Sequence, residues 1–141
     1  MRPARANTLP ELLIALTLVA VIMALAVPHM AASLDRAAAH SASQEIESIF
    51  AAARSEALAR HCTVWVVIDS AGAAIHLRVP GRGTRTRLLG SVYGVVLSAT
   101  RDSMSYDGRG LGRGAANLTV IVARGLVRDT VVVSRLGRVR R

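Results

Sequence analysis

A run of sixteen uncharged residues near the N-terminus, positions 12–27, constrains this chain more than any other feature. As a helix it would be about 24 Å long, which is short of the roughly 30 Å hydrocarbon core of a bilayer. Extending the run to positions 8–32 makes it long enough, but Glu11 then lies within the membrane. A carboxylate at that depth is costly unless a partner group meets it. The run therefore raises the question of what pairs with Glu11.

Three interpretations fit residues 1–32. In a cleaved secretory signal peptide, Arg2 and Arg5 form the basic region, residues 12–23 the apolar region and residues 24–26, Ala-Leu-Ala, the cleavage site. In an ordinary transmembrane anchor the run stays in the membrane. In the third interpretation, cleavage occurs before the run and the run is retained. All three place Arg2 and Arg5 in the cytoplasm and the rest of the chain outside it.

Two prolines bear on this choice. Pro10, next to Glu11, is unusual at the start of the apolar region of a signal peptide. Pro28 is compatible with a helix that continues with a kink, because proline removes one backbone hydrogen bond. The residues therefore favour a retained helix and leave the other two interpretations open.

The charge of the chain is concentrated in its second half. Residues 1–60 contain five Arg and five acidic residues, whereas residues 61–141 contain thirteen Arg and four Asp, which accounts for the net charge of +9. The chain has no Lys, a usage that a GC-rich genome also produces, so the charge alone does not identify a partner. Aromatic residues make up only 3% of the chain, so its core must be built from Ala, Val, Leu and Ile.

No pattern of catalytic or metal-binding residues emerges from the sequence. The single cysteine, Cys62, excludes an intramolecular disulfide, and the four histidines lack the spacing of metal ligands. Glycines alternate along residues 108–114, but the third glycine of a dinucleotide fingerprint is replaced by Arg113 and a strand follows, so a flexible basic loop is the better interpretation. We therefore predict no enzyme activity, no cofactor and no metal site.

The remainder of the chain predicts an α+β fold. Apolar residues recur at three- and four-residue steps along a helix over residues 31–60, which Glu56 and Arg60 support as an i,i+4 pair. Since no breaker separates this segment from Pro28, we expect one long helix, transmembrane in its first half and packed on an antiparallel β-sheet in its second. The predicted strands are 63–69 and 74–80 as a hairpin, one or two strands in 88–99, and a closing pair 118–125 and 127–140; residues 81–87 and 106–117 are predicted loops.

The N-terminus resembles that of type IV pilins and pseudopilins, in which a short basic leader precedes a Phe-Thr-Leu-x-Glu start and an unbroken apolar helix. Thr8, Leu9 and Glu11 match this pattern, while Ala6 replaces the usual last glycine of the leader and Asn7 the usual first phenylalanine. The resemblance implies cleavage between Ala6 and Asn7 by a prepilin peptidase, N-terminal methylation, and a role for Glu11 in assembly. It divides the chain into a leader (1–6), a transmembrane filament-core helix (7–30) and a periplasmic domain (31–141), anchored in the bacterial inner membrane.

A second resemblance lies outside this segment. Residues 52–60 (AARSEALAR), 106–110 (YDGRG) and 131–141 (VVVSRLGRVRR) are similar to the minor pseudopilin family of GspH and FimT, whereas residues 70–100 match nothing recognisable. This family implies a subunit of the type II secretion pseudopilus tip, which helps to export folded proteins together with other pseudopilins. A minor pilin of a type IV pilus is the alternative, and a periplasmic binding module released by signal peptidase is a third.

The C-terminal arginines bear on the alternative function. If residues 127–140 form one strand, Arg138 and Arg140 share a face, Arg135 can join them and Arg141 is free at the end. Arginine grips phosphates in a bidentate manner, and clustered arginines bind nucleic acid without sequence preference. In the FimT branch of the family, a Gly-Arg-x-Arg ending like that of residues 137–140 is associated with DNA binding. The resemblance therefore makes DNA a possible partner.

Overall fold

A single α-helix occupies more than a third of the chain. The computed structural model describes residues 9–113 and 117–141, with the backbone alone at residues 26–28. Helix α1 runs over Leu9–Arg60, and its backbone continues through Pro28 as predicted. It ends where His61 adopts a positive φ of 49° and the N–H of Cys62 reaches back to the carbonyl of Ala57. This is a Schellman cap, in which a left-handed residue ends the helix.

The polypeptide divides within α1 into two compact units. Met1–Leu34 forms the first and Asp35–Arg141 the second, and each is described by itself. Among the described residues, the second unit contains every strand, a second, short helix and the only buried core.

The strands form two antiparallel sheets, as expected for an α+β chain. One sheet has the order β3-β2-β1-β5-β6 and the other the order β4-β7-β8-β9. The helix α2 lies between β3 and β4 in sequence and is closed by Gly94 in the left-handed conformation. The elements are β1 Val64–Asp69, β2 Ala74–Val79, β3 Gly83–Leu88, α2 Leu89–Tyr93, β4 Val96–Ala99, β5 Ser103–Tyr106, β6 Gly112–Arg113, β7 Leu118–Arg124, β8 Val127–Val133 and β9 Val139–Arg140.

Four segments differ from the predicted secondary structure, and one of them is the predicted loop 106–117, in which Gly112–Arg113 form β6 and pair with β5. Residues 81–87 were expected to be a loop, but 83–88 form the edge strand β3, which pairs with β2 over its whole length. Residues 88–99 were expected to be strands, and their first half is instead α2, which buries Leu89. The closing strand 127–140 is interrupted by a turn at residues 134–138, so β9 folds back onto β8.

The second half of α1 and both sheets share one hydrophobic core. The apolar stripe of α1 buries Ile46, Phe50 and Ala53 completely, in the same cluster as Val66 of the first sheet and Val120 of the second, whereas Leu58 near its end is exposed. Phe50 and Tyr106 are the largest side chains in this cluster that are completely buried. The core is otherwise aliphatic, as the composition predicts.

Acidic residues of α1 meet arginines of the sheets. Arg124 Nε donates to Asp35 Oδ1 at 2.8 Å, Arg87 Nε lies 3.6 Å from Glu45 Oε1, and Arg82 Nη1 lies 3.3 Å from Glu56 Oε1. The predicted helical pair is also present, since Arg60 Nε donates to Glu56 Oε2 at 2.8 Å. Each exposed pair contributes about 0–1 kcal/mol, so their main effect is to set the register of the helix on the sheets.

Candidate functional site: apolar helix and C-terminal arginines

The first part of α1 exposes apolar side chains on every face. All the described side chains of residues 9–25 are exposed, including Leu16 and Ile22. By length and composition this helix could cross a membrane. The hydroxyl of Thr17 donates to the carbonyl of Ile14 at 2.8 Å, so the single polar side chain of the run needs no water to satisfy its donor. A helix that is apolar all round is stable only in lipid or in a bundle of similar helices.

Glu11 lies in the first turn of this helix and is exposed. No salt bridge joins it to another described residue. A carboxylate near a helix N-terminus is favoured by the helix dipole, which offsets only part of the cost of burying it in lipid. Ala6 and Asn7, where cleavage is predicted, lie outside the described residues.

The C-terminal turn determines where the predicted arginines lie. Ser134 and Arg138 close the turn reciprocally: the N–H of Ser134 donates to the carbonyl of Arg138 at 2.8 Å, and the N–H of Arg138 donates to Ser134 Oγ at 3.1 Å. Arg135 is exposed within the turn, and Arg138 and Arg140 are exposed on either side of Val139. The turn thus brings three of the four predicted arginines to one end of the second sheet.

Arg141 differs from the expectation that it is free at the end of the chain. Its Nε lies 3.3 Å from Asp129 Oδ2, and its guanidinium also contacts the ring of His40 on α1. The signal for this pairing was absent from local sequence, because Asp129 becomes a neighbour only when β9 folds back onto β8. Arg141 therefore already has a carboxylate partner in the subunit.

A groove of about 1100 Å³ separates α1 from the C-terminal strand. Leu58 and Ala59 of the helix provide apolar lining, and the charged lining consists of Glu47, Arg54, Arg138 and Arg140. Three guanidinium groups against one carboxylate make the lining of this groove net basic, so its charge favours an anionic occupant.

The three sequence blocks that resemble the minor pseudopilin family, in residues 52–60, 106–110 and 131–141, meet beneath this groove. Tyr106, the first residue of the YDGRG block, is fully buried, and a Cβ on Gly137 would lie 3.0 Å from its Cε1 atom. The same Cβ would lie 3.0 Å from the carbonyl oxygen of Gly110 and 3.4 Å from Arg54 Cδ, which belongs to the ARSEA block. The three blocks that resemble the family are therefore parts of one packing arrangement.

Asp107 holds the glycine-rich loop in an ordered turn. Its Oδ1 accepts the N–H of Arg109 at 2.9 Å and that of Leu111 at 3.0 Å. These backbone hydrogen bonds, that of Leu111 first, hold the pKa of Asp107 below its usual value. The predicted flexible loop is thus structured in its described part, residues 106–113.

Replacement of Gly137 by alanine tests the packing arrangement. We expect a loss of about 2–4 kcal/mol in the free energy of unfolding, because a non-glycine residue at φ 75° is strained and its Cβ would contact Tyr106 and Gly110. Gly81→Ala is the matched control: its φ is 76°, but a Cβ there meets nothing within 4 Å. Its expected cost is about 1 kcal/mol. Equal losses for the two variants in urea unfolding would show that backbone strain alone is responsible.

Replacement of Tyr106 by phenylalanine tests the unpaired hydroxyl. The Tyr106 hydroxyl is buried without a hydrogen-bond partner among the described residues, and burial raises its pKa to about 12. Removing an unpaired buried hydroxyl is nearly neutral or stabilising, so we expect a change within about 1 kcal/mol at neutral pH.

The same substitution should alter the response to alkaline pH. Because the pKa of Tyr106 is raised on folding, wild-type stability is fully present below pH 10, about the pKa in the unfolded chain, and falls as pH rises toward about 12. Tyr106→Phe should lack this contribution to the fall. Thermal unfolding at a series of pH values measures the difference, and parallel pH profiles for the two proteins would contradict the expectation.

Metal and nucleophile sites are not apparent in the described part of the chain. Within it, no group of three or more His, Cys, Asp or Glu is placed to hold a metal ion. Cys62 is partly buried against the core, next to His61 in the helix cap. The functional features are the apolar helix and the surfaces of the second unit.

Comparisons with known proteins agree with the fold and with the sequence blocks. The family model of type II transport protein GspH matches residues 42–137, and the model of the prokaryotic N-terminal methylation motif matches residues 1–27. No curated protein sequence shows a significant match.

Solved structures of two different proteins share the fold. The type IV minor pilin FimU of Pseudomonas aeruginosa is 15% identical with a TM-score of 0.60, over 72% of this chain and 85% of that one. The minor pseudopilin EpsH from the type 2 secretion system of Vibrio cholerae is 13% identical with a TM-score of 0.56, over 72% of this chain and 94% of that one. At such identities the likeness establishes the fold, and the GspH model, which covers more than half of the chain, establishes the family. This chain is a type IV pilin-like protein that belongs to the GspH family of minor pseudopilins.

Proposed function

We propose that this chain is a minor pseudopilin of a type II secretion system, a subunit of the pseudopilus tip that helps to export folded proteins. The observation that carries the proposal is the GspH match, which extends from the buried part of α1 to the turn at Gly137. The similarity to EpsH supports it at the level of the fold. Family members are structural subunits of filaments, so the function is assembly rather than catalysis.

Processing comes first in the proposed pathway. A prepilin peptidase cleaves between Ala6 and Asn7, and residues 7–30 then remain as the transmembrane and filament-core helix with residues 31–141 in the periplasm. The N-terminal methylation motif and the exposed apolar helix support this scheme. Mass spectrometry of the mature protein should find a methylated Asn7 at the N-terminus. A mature protein that starts at Val27 would instead identify a cleaved signal peptide.

Glu11 is the proposed assembly residue. Cleavage creates an α-amino group at Asn7, and in a filament the amine of a neighbouring subunit is positioned to meet the Glu11 carboxylate. A buried charge that is costly alone becomes a register signal when paired, because a misaligned helix leaves it without a partner.

A deletion strain tests the role in secretion. We expect loss of folded exported proteins from the culture medium, restored by the wild-type gene, with pilus-dependent motility and DNA uptake unchanged. If secretion persists while DNA uptake is lost, the pilus alternative is correct.

A minor pilin that contacts DNA is that alternative. It is favoured by the likeness to FimU and by the exposure of Arg135, Arg138 and Arg140. Binding of duplex DNA is then measured by mobility shift at several salt concentrations, for the wild type and for Arg138→Ala/Arg140→Ala. The slope of log binding constant against log salt concentration should be smaller in magnitude by about 2 in the double variant, since each phosphate contact contributes about 0.9. Arg128→Ala, which removes an exposed arginine of β8, is the control. Absence of binding at low salt eliminates this alternative.

A further inference from the structure

The outer face of the five-stranded sheet has a tryptophan between two arginines. Strand pairing aligns Thr84 with Arg78, Arg78 with Trp65, Trp65 with Ser105, and Ser105 with Arg113. These five residues form one row across β3, β2, β1, β5 and β6, which we call the Trp65 row. The flanking residues Val64 and Val66 of β1 point to the opposite side and are fully buried, so the Trp65 row faces away from the core.

Trp65 is unusually accessible for an aromatic residue in the middle of a sheet. It is 43% exposed although β1 is paired on both sides. Two depressions flank it, one of about 690 Å³ toward Arg78 and Pro80 and one of about 610 Å³ toward Ser105 and Arg113. Trp65 is thus a ridge with space on each side for the side chains of a bound molecule.

The charge of this face is basic. Arg78 forms no salt bridge with the described part of the chain, and Arg113, with 68% of its side chain exposed, reaches only Asp107 at 4.0 Å. Asp107 is held by the backbone of its own loop, so several guanidinium donors of Arg113 remain available. Asp102 and Arg101 lie together in the second depression and offset each other.

On the side toward the β1–β2 turn, the row next to the Trp65 row contains no acidic residue to neutralise these arginines. It consists of Thr86, His76, Val67 and Ser103, in which His76 Nδ1 and Thr86 Oγ1 are 2.9 Å apart. Asp69, at the end of β1, accepts the N–H of Gly72 and belongs to the β1–β2 turn. An acidic partner is therefore complementary to the Trp65 row, whereas a basic one is not.

We propose that the Trp65 row is a docking site for an extended acidic segment of a partner protein, with the pattern acidic-x-apolar-x-acidic. Adjacent strands are about 4.8 Å apart, so Arg113 and Arg78, which are separated by three strand spacings, are about 14 Å apart. An extended peptide advances about 3.4 Å per residue, so its residues i and i+4 are also about 14 Å apart and point to the same side. The carboxylates reach Arg113 and Arg78, and the central apolar side chain falls between Trp65 and Ser105, about 2 Å along the row from Trp65, where it contacts the edge of the indole.

A protein partner fits this face better than a single-stranded nucleic acid. Platforms for single strands stack successive bases on several aromatic side chains, and this row has one. Tryptophan and arginine together are the residues that dominate the binding energy of protein interfaces. A second copy of this chain is also a poor occupant, because Asp35, Glu45, Glu56 and Asp129 already pair with arginines of their own subunit. This docking site is independent of the secretion function proposed above.

Trp65 also serves as the reporter for the test, because it is the only tryptophan of the chain. The full chain in nanodiscs is titrated with the peptide Glu-Ser-Leu-Ser-Glu, blocked at both ends, and Trp65 fluorescence is recorded. We expect a saturable change in emission that weakens with added salt. Arg78→Gln and Arg113→Gln should each weaken binding about tenfold, as loss of a charge-assisted hydrogen bond predicts. Arg128→Gln, on the other sheet, should bind like the wild type.

Three results would overturn the proposal. The first is no saturable response to the acidic peptide. The second is an equal response to the peptide Lys-Ser-Leu-Ser-Lys, which would show that charge complementarity plays no part. The third is tighter binding of oligothymidylate than of the acidic peptide, with the same loss in Arg78→Gln, which would reassign the face to nucleic acid. Circular dichroism of each variant establishes that the fold is retained.

Discussion

Replacement of Glu11 by alanine is expected to leave membrane insertion intact and to reduce incorporation into the filament about a hundredfold. Insertion depends on the apolar run, which the substitution extends. Incorporation depends, on the proposed assembly scheme, on the pairing of Glu11 with the amine of a neighbouring subunit. Removal of one partner from a buried ion pair costs about 3–5 kcal/mol, and about 2.7 kcal/mol already corresponds to a hundredfold. Cysteine crosslinking between subunits in membranes and in sheared filaments measures the two steps separately.

Two further variants sharpen this test. Glu11→Gln retains the size and hydrogen-bonding ability of the side chain without its charge, so it should resemble Glu11→Ala if charge pairing matters. Glu47→Ala removes an acidic side chain from the same helix outside the apolar run and should incorporate normally. Unchanged incorporation of Glu11→Ala would eliminate the assembly role.

Replacement of Phe50 by alanine should have the largest effect on folding. Phe50 is completely buried where α1 packs against the sheets, and it is the only phenylalanine of the chain. Its truncation removes apolar contacts and leaves a cavity, which together cost about 3–5 kcal/mol. Because natural domains are stable by only about 5–15 kcal/mol, this loss could be most of the total. Urea unfolding of the full chain in detergent, followed by circular dichroism, should show a lower midpoint at the same slope.

Leu126→Ala is the control for this prediction. Leu126 lies in the turn between β7 and β8 and is fully exposed, so its truncation should change stability by less than about 0.5 kcal/mol. A similar midpoint for the Phe50 and Leu126 variants would mean that the aliphatic residues around Phe50 close the cavity without cost.

Long segments with a regular apolar pattern were predictable from sequence. Short elements that form only through contacts with distant parts of the chain were not. The apolar stripe of α1 indicated a helix up to Arg60, and the structure has it there. In β3, every side chain is exposed, so no alternation of apolar residues marked it as a strand. It is a strand because its backbone pairs with β2, which is information from outside the segment. The short α2 was missed because its Val and Tyr favour strands, while burial of Leu89 and the left-handed Gly94 produce a helix.

In the candidate sites, too, local features were predictable from sequence and contacts between distant segments were not. The exposure of Arg135, Arg138 and Arg140 was predictable from charge alone, but the pairing of Arg141 with Asp129 required the turn at residues 134–138. The Trp65 row was missed, although local alternation contained a signal. In residues 63–69, Thr63, Trp65, Val67 and Asp69 alternate with three aliphatic residues, which places the tryptophan on the polar side. Its alignment with Arg78 and Arg113 depends on strand register, which a single segment does not specify.

The edge strand β3 has a consequence for solubility. Its Arg85 and Arg87 align with Leu77 and Ile75, so their side chains lie on the core side of the sheet, beside Glu45 of α1. If a second chain added a strand to this edge, the extended sheet would cover these guanidinium groups and take them out of water. Charges that point inward on an edge strand are a known protection against edge-to-edge aggregation. The arginines beside Glu45 therefore also protect the β3 edge against pairing with the sheet of another chain.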